Sequence, residues 1–243
     1  MIIEQVNITN ENKGTEGWSD RDDFNVIRIV LDSEEDSTFI KDVFSEAEKL
    51  AKKVNSKGAN TSVIRTDDVK LTDNVAGVLA EKIVAFFYRD LLGPEKVYTV
   101  EADSGFHQID INLVDGREVE VRSSFVYHWP SIPLFKLHKE PSFEGHSTYN
   151  IPCTYTNGYK RMDFKKDFYT LVMFPSKKEE MINDLKNGTL EFFITGTASR
   201  IEEDNYGGIA DLKGNAEASR KSYYKVVPVH KSLDVEELKN YLS

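Results

Sequence analysis

The stretch His107 to Ser124, HQIDINLVDGREVEVRSS, decides how the rest of the chain is read. Apolar and polar residues alternate on both sides of Asp115-Gly116, the pattern of a β-hairpin. Ile109, Ile111 and Leu113 share one face of the first strand, and Val119 and Val121 one face of the second. A two-residue loop at Asp115-Gly116 would set Asp110 opposite Val121 and mix the faces. A three-residue loop, Val114-Asp115-Gly116 with Gly116 in the left-handed conformation, pairs Leu113 with Arg117 instead. It then pairs Ile111 with Val119 and Ile109 with Val121, so the apolar faces agree. A one-residue slip would turn a whole strand over, which selects the three-residue loop. In that register Asp110 lies across from Glu120, with Cβ atoms roughly 4.5–5.5 Å apart.

Two opposed carboxylates repel one another. A hairpin tolerates them if water bathes the face, and that solvated face with alternating charge is the plain reading. It makes use of them if a divalent cation sits between. Mg²⁺ is held by one or two carboxylates plus substrate phosphates, with water completing its shell. Arg122 projects from the same face as Glu120, within reach of a phosphate.

An acid on one strand, a turn and then Glu-x-Lys on the next resembles the PD-(D/E)XK nuclease core, the restriction-endonuclease-like fold. Here the match is Asp110 followed by Glu120-Val121-Arg122, and it covers roughly residues 73–124. The family also commonly carries a glutamate on the helix before the hairpin, and Glu81 lies in such a helix. Two departures stand out: no proline precedes Asp110, and Arg122 replaces the usual lysine. Lysine can shift its pKa and help a water lose its proton, whereas arginine stays protonated. The resemblance implies a metal-dependent DNA endonuclease of prokaryotic restriction or phage defence. Asp110, Glu120 and the Val121 carbonyl would hold Mg²⁺, with Mn²⁺ as a substitute. Glu81 would position a water or a second ion, and Arg122, Ser123 and Ser124 would contact phosphate. The resemblance also implies a homodimer, so that both strands are cut. A rival reading is a non-catalytic subunit of the same fold that binds nucleic acid or a partner.

With 40% apolar and 30% charged residues among 243, the chain has the composition of a soluble globular protein. It has no apolar run of membrane-spanning length, and its single cysteine, Cys153, suits the cytoplasm. The net charge of −10 is uneven: −11 over residues 1–120 and +1 over 121–243. That asymmetry is compatible with a basic working face on an acidic body.

Residues 1–23 read as a flexible segment, and 24–243 as one domain with a long loop at 125–160. Strands are expected at Phe24–Leu31, Val97–Val100, Asp167–Phe174, Leu190–Ser199 and Ser222–Val229. Helices are expected from Ser37 to Lys53, from Thr72 to Leu92, over Lys177–Leu185 and over Val235–Leu242. In the second of these helices, Glu81 sits at the edge of the apolar stripe, and the plain reading is a solvent glutamate paired with Lys82 or Arg89. Four prolines and many aromatics predict irregular structure over 127–159, and the Gly-rich stretch 201–220 reads as a mobile loop. Lys136, Lys139, Lys160 and Arg161, with Lys165, Lys166 and His138, interleave with Tyr127, Trp129, Phe135, Tyr155 and Tyr159. That mixture suits phosphates and exposed bases. His138, His146 and Cys153 match no zinc spacing. The expected architecture is α/β, a mixed central sheet with flanking helices, restriction-endonuclease-like in outline.

Overall fold

The computed structural model describes residues 1–9, 21–53, 65–100, 110–125, 150–156, 165–211 and 223–243. Its centre is a seven-stranded mixed sheet. The strands, in chain order, are β1 (Ile2–Thr9), β2 (Asp23–Asp32), β3 (Val97–Thr99), β4 (Ile111–Leu113), β5 (Glu118–Phe125), β7 (Phe168–Phe174) and β8 (Thr189–Ser199). Across the sheet they run β1-β2-β8-β7-β5-β4-β3. A second sheet has three strands in the order β6 (Asn150–Thr156), β10 (Tyr223–Pro228) and β9 (Gly208–Asp211). Five α-helices complete the described elements: α1 (Ser37–Lys53), α2 (Asp67–Leu92), α3 (Met181–Asn187), α4 (Arg200–Tyr206) and α5 (Val235–Leu242). Among the described residues no helix is long and apolar enough to cross a membrane.

Alternation along the central strands gives the large sheet two apolar faces, and each is covered. On one face Ile29, Leu31, Ile111, Val119, Phe168 and Phe192 pack against Val43, Val75, Leu79, Ile83, Met181 and Leu238 of the helices. On the other, Phe24, Val26, Tyr169, Leu171 and Phe193 meet Ile151, Cys153 and Val227 of the small sheet. All seven residues of β7 are buried, as a strand covered on both faces requires. Helix α2 is pinned by more than apolar contact. The Tyr88 hydroxyl is 3.2 Å from Thr170 Oγ1, which lies 3.0 Å from Thr197 Oγ1, so a buried hydrogen-bonded chain runs from the helix into β7 and β8.

The structure departs from the sequence reading at four places. Residues 2–9, expected to be flexible, form edge strand β1, paired antiparallel with β2 along its whole length; Val6 and Ile8 dock on the second core. Helix α2 begins at Asp67, not Thr72, because Thr66 accepts the Val69 N–H as N-cap and Asp67 and Asp68 occupy its first turn. The irregular region contains β6, an edge strand of the small sheet and so able to hold Pro152, with a bulge beside it that sets Cys153 and Thr154 against Lys225. The stretch taken as a mobile loop opens with α4, closed by a reciprocal capping box between Ser199 and Glu202, and continues into β9.

Candidate functional site: an acidic fork beside β5

The hairpin has the register expected from its alternation. The Leu113 N–H donates to the Arg117 carbonyl at 2.8 Å, and the Gly116 N–H to the Leu113 carbonyl at 2.9 Å. Gly116 takes φ +86°, the left-handed conformation a three-residue loop needs. Ile111 therefore faces Val119 and Asn112 faces Glu118, with Ile111 and Val119 fully buried. Ile109 lies outside the described residues. The pairing of β4 with β5 ends at Ile111–Val119, whereas β5 continues against β7 as far as Phe125. Asp110 stands where the two strands part. Its Oδ2 accepts the Val121 N–H at 2.6 Å, holding the carboxylate against β5.

Glu120 is only 4% exposed, and its Oε1 lies 3.1 Å from Arg122 Nη1. The rest of the Arg122 fork points to the small sheet: Nε donates to the Pro152 carbonyl at 3.1 Å and Nη2 to the Cys153 carbonyl at 3.0 Å. Burial pushes Asp110 above the usual carboxylate range, opposed by the Val121 N–H and by the charges of Arg122 and Lys166.

Glu81 comes to the same place from the helical side. It is seven residues, two turns, before Tyr88, so the two side chains share the α2 face turned to the sheet. Burial first, then the charges of Asp110, Glu46 and Glu120, push its pKa up to about 8. The solvent pairing considered for it does not form. Lys82 turns to α1 instead, 3.0 Å from Asp42 and 2.8 Å from Glu46. Glu81 thus feels the charges of both Asp110 and Glu120.

Lys166, one of the basic residues whose mixture with aromatics suits phosphates, lies beside the acids, which its sequence position does not indicate: it is 3% exposed, with Nζ 3.4 Å from Glu118 Oε2, and its charge is felt at Asp110. Nothing in the residues around it marks a site. The only signal was proximity to a strand as apolar as β7.

The remaining candidates divide. Ser124 shares the Glu120–Arg122 face by strand alternation, while Ser123 is exposed on the opposite one. Val121 is half-buried, its N–H committed to Asp110. Lys136, Lys139, Lys160, Arg161, His138 and His146 lie outside the described residues. Cys153 is fully buried and burial pushes its thiol strongly up, which makes it a small core residue without thiolate chemistry. Among the described residues no three His, Cys, Asp or Glu side chains cluster closely enough to hold a metal ion by themselves.

Comparison with known proteins adds little chemistry. The chain is 26% identical, over 257 aligned residues, to an uncharacterized protein of Methanocaldococcus jannaschii; the match covers 90% of this chain and 86% of that protein. No family model and no solved structure matches the chain.

Proposed function

We propose that the protein is a Mg²⁺-dependent DNA endonuclease built on a restriction-endonuclease-like core, of the kind used in prokaryotic restriction or phage defence. One observation carries the reading: Asp110 is fastened to β5 by the Val121 N–H, one residue from the buried Glu120, and the charges of both acids reach Glu81 on α2. Carboxylates held out of water with raised pKa values lack stabilising partners, and a hard divalent cation is a natural complement. Asp110 and Glu120, with a backbone carbonyl such as that of Val121, form the sparse donor set that suits an ion keeping most of its shell for water and phosphate. When bound, Mg²⁺ would supply charge to the scissile phosphate and acidify a water. In hydrolysis the water oxygen bonds to phosphorus, the ester oxygen leaves, and the water's second proton ends on the leaving alcohol. Glu81, which keeps its own proton up to about pH 8 while the site holds no cation, would accept one from water only with the bound ion's charge drawing its pKa down. Arg122, permanently charged, serves as an anchor and not as a base.

The test is Mg²⁺-dependent cleavage of several DNAs, modified and unmodified, by wild type, Asp110→Ala and Glu120→Ala, with Mn²⁺ affinity measured alongside by calorimetry. Loss of both cleavage and Mn²⁺ binding in the variants is expected; cleavage that survives both substitutions rejects the assignment. A second reading, a nucleic-acid-binding subunit without catalysis, draws on the engagement of Arg122 by Glu120 and by two β6 carbonyls. It predicts tight DNA binding with no cut by the wild type.

A further inference from the structure

The site has two buried or half-buried cations, and they are held very differently. Each arm of the Arg122 guanidinium is spent on Glu120 or on the backbone of β6, so the residue ties the large sheet to the small one. The Lys166 ammonium, by contrast, has three donors, and its ion pair with Glu118 at 3.4 Å accounts for one. It is buried all the same.

The backbone that carries Lys166 is held from several sides. The Asp167 N–H donates to the Glu118 carbonyl at 3.0 Å, and Asp167 Oδ2 accepts the Glu118 N–H at 2.9 Å. Arg200 Nε donates to the Lys166 carbonyl at 3.2 Å and also pairs with Asp167. The Lys166 N–H donates to the Tyr169 hydroxyl at 3.0 Å. Tyr169 lies 3.2 Å from Thr154 Oγ1, and Thr154 donates to the wholly buried Glu203 at 2.6 Å. Held in this way, the segment presents an ammonium that, among the described residues, pairs with Glu118 alone, on the strand that carries Glu120.

We propose that Lys166, and not Arg122, is the side chain that meets a non-bridging oxygen of the nucleic-acid phosphate beside Asp110 and Glu120. The inference rests on the nuclease reading for its catalytic consequence, but phosphate contact is testable without it. It also accounts for the arginine in the hairpin: a cation supplied from the start of β7 leaves position 122 free to be an anchor.

Two measurements on Lys166→Met, Lys166→Arg and Glu118→Gln test it, with thermal melts confirming folded protein. The first is the salt dependence of affinity for a DNA duplex in EDTA. Lys166→Met is expected to flatten the slope of log affinity against log salt by about 0.9, one phosphate contact, while Lys166→Arg and Glu118→Gln preserve it. The second is the Mg²⁺-dependent cleavage rate, which Lys166→Met is expected to lower about 100-fold and Glu118→Gln to leave within a few-fold. An unchanged slope in Lys166→Met overturns the proposal even if Asp110→Ala is inactive and the nuclease reading stands. Equal damage from Glu118→Gln and Lys166→Met overturns it too, since the pair would then be structural. A flattened slope in a protein that never cuts upholds the phosphate contact and rejects the nuclease. A wild type that neither binds nor cuts DNA rejects both.

Discussion

Two acidic sites in the molecule differ sharply in their surroundings. Around Asp234, 3% exposed at the start of α5, several donors converge. Its carboxylate accepts from the Asn25 N–H and side-chain amide at 3.0 Å each and from the Glu237 N–H at 2.9 Å, and it pairs with Arg21 at 3.0 Å. Around Glu81 and Asp110 the acids Glu46 and Glu120 stand among the cations Lys82, Arg122 and Lys166, and among the described residues the one hydrogen-bond donor to either carboxylate is the Val121 N–H at Asp110. Buried polar groups in folded proteins are ordinarily satisfied. A site that departs from this, while a sister site a few strands away obeys it, is kept for something other than stability.

The contrast can be broken most directly by exchanging charge for shape. Asp110→Asn retains an oxygen for the Val121 N–H, so the hairpin should fold, yet the charge is gone. DNA cleavage is expected to fall about 10³-fold with little change in melting temperature. Asp234→Ala should do the reverse. It removes a helix cap, the acceptor of both Asn25 donors and one of the two carboxylates paired with Arg21, costing about 3 kcal/mol in urea unfolding while the cleavage rate of the folded fraction is kept. A variant at Asp234 that melts like wild type would erase the distinction.

Glu81→Gln sharpens it. The folded-state pKa of about 8 lies above the ordinary 4.5, so the folded protein holds the proton that the unfolded chain releases. In wild type, stability is therefore highest below pH 4.5 from this group and falls by up to about 1.4 kcal/mol per pH unit until pH passes about 8. Glutamine has no such slope. In EDTA the variant should be more stable than wild type at pH 9, by about 2 kcal/mol, and no more stable near pH 4.5. A variant less stable at pH 9 would show that Glu81 is satisfied after all. The smallest expected effect is at the turn. Gly116→Ala puts a Cβ on a residue with φ +86°, and unfolding should be easier by about 1 kcal/mol.

Where the chain announced itself, it did so through agreement of two periods. Ile111, Leu113 and Val119 alternate, Asp115-Gly116 supplies the turn, and only one register satisfies both, so the pairing of Ile111 with Val119 was legible. Helix α5 was equally plain from Asp234 and the Val235–Leu238 spacing. β1 was missed because its apolar residues are few and half-exposed: an edge strand owes its order to the ladder with β2, which no local pattern records. β6 was hidden by Pro152. Lys166 was legible as a basic residue but not as a neighbour of the acids, because Glu118 is brought to it by the pairing of β5 with β7.

One ladder in the molecule carries a further consequence. Among the described strands β5 and β7 alone run side by side in the same direction. Two parallel neighbours cannot be joined by a tight turn. The chain leaving Phe125 has to travel back the length of the sheet before Phe168, and on that return it lays down Asn150–Thr156 over the face bearing Glu120. The roof of the acidic fork is thus a by-product of strand direction. Side-chain changes on residues 150–154 would alter that roof while leaving the hairpin beneath it untouched.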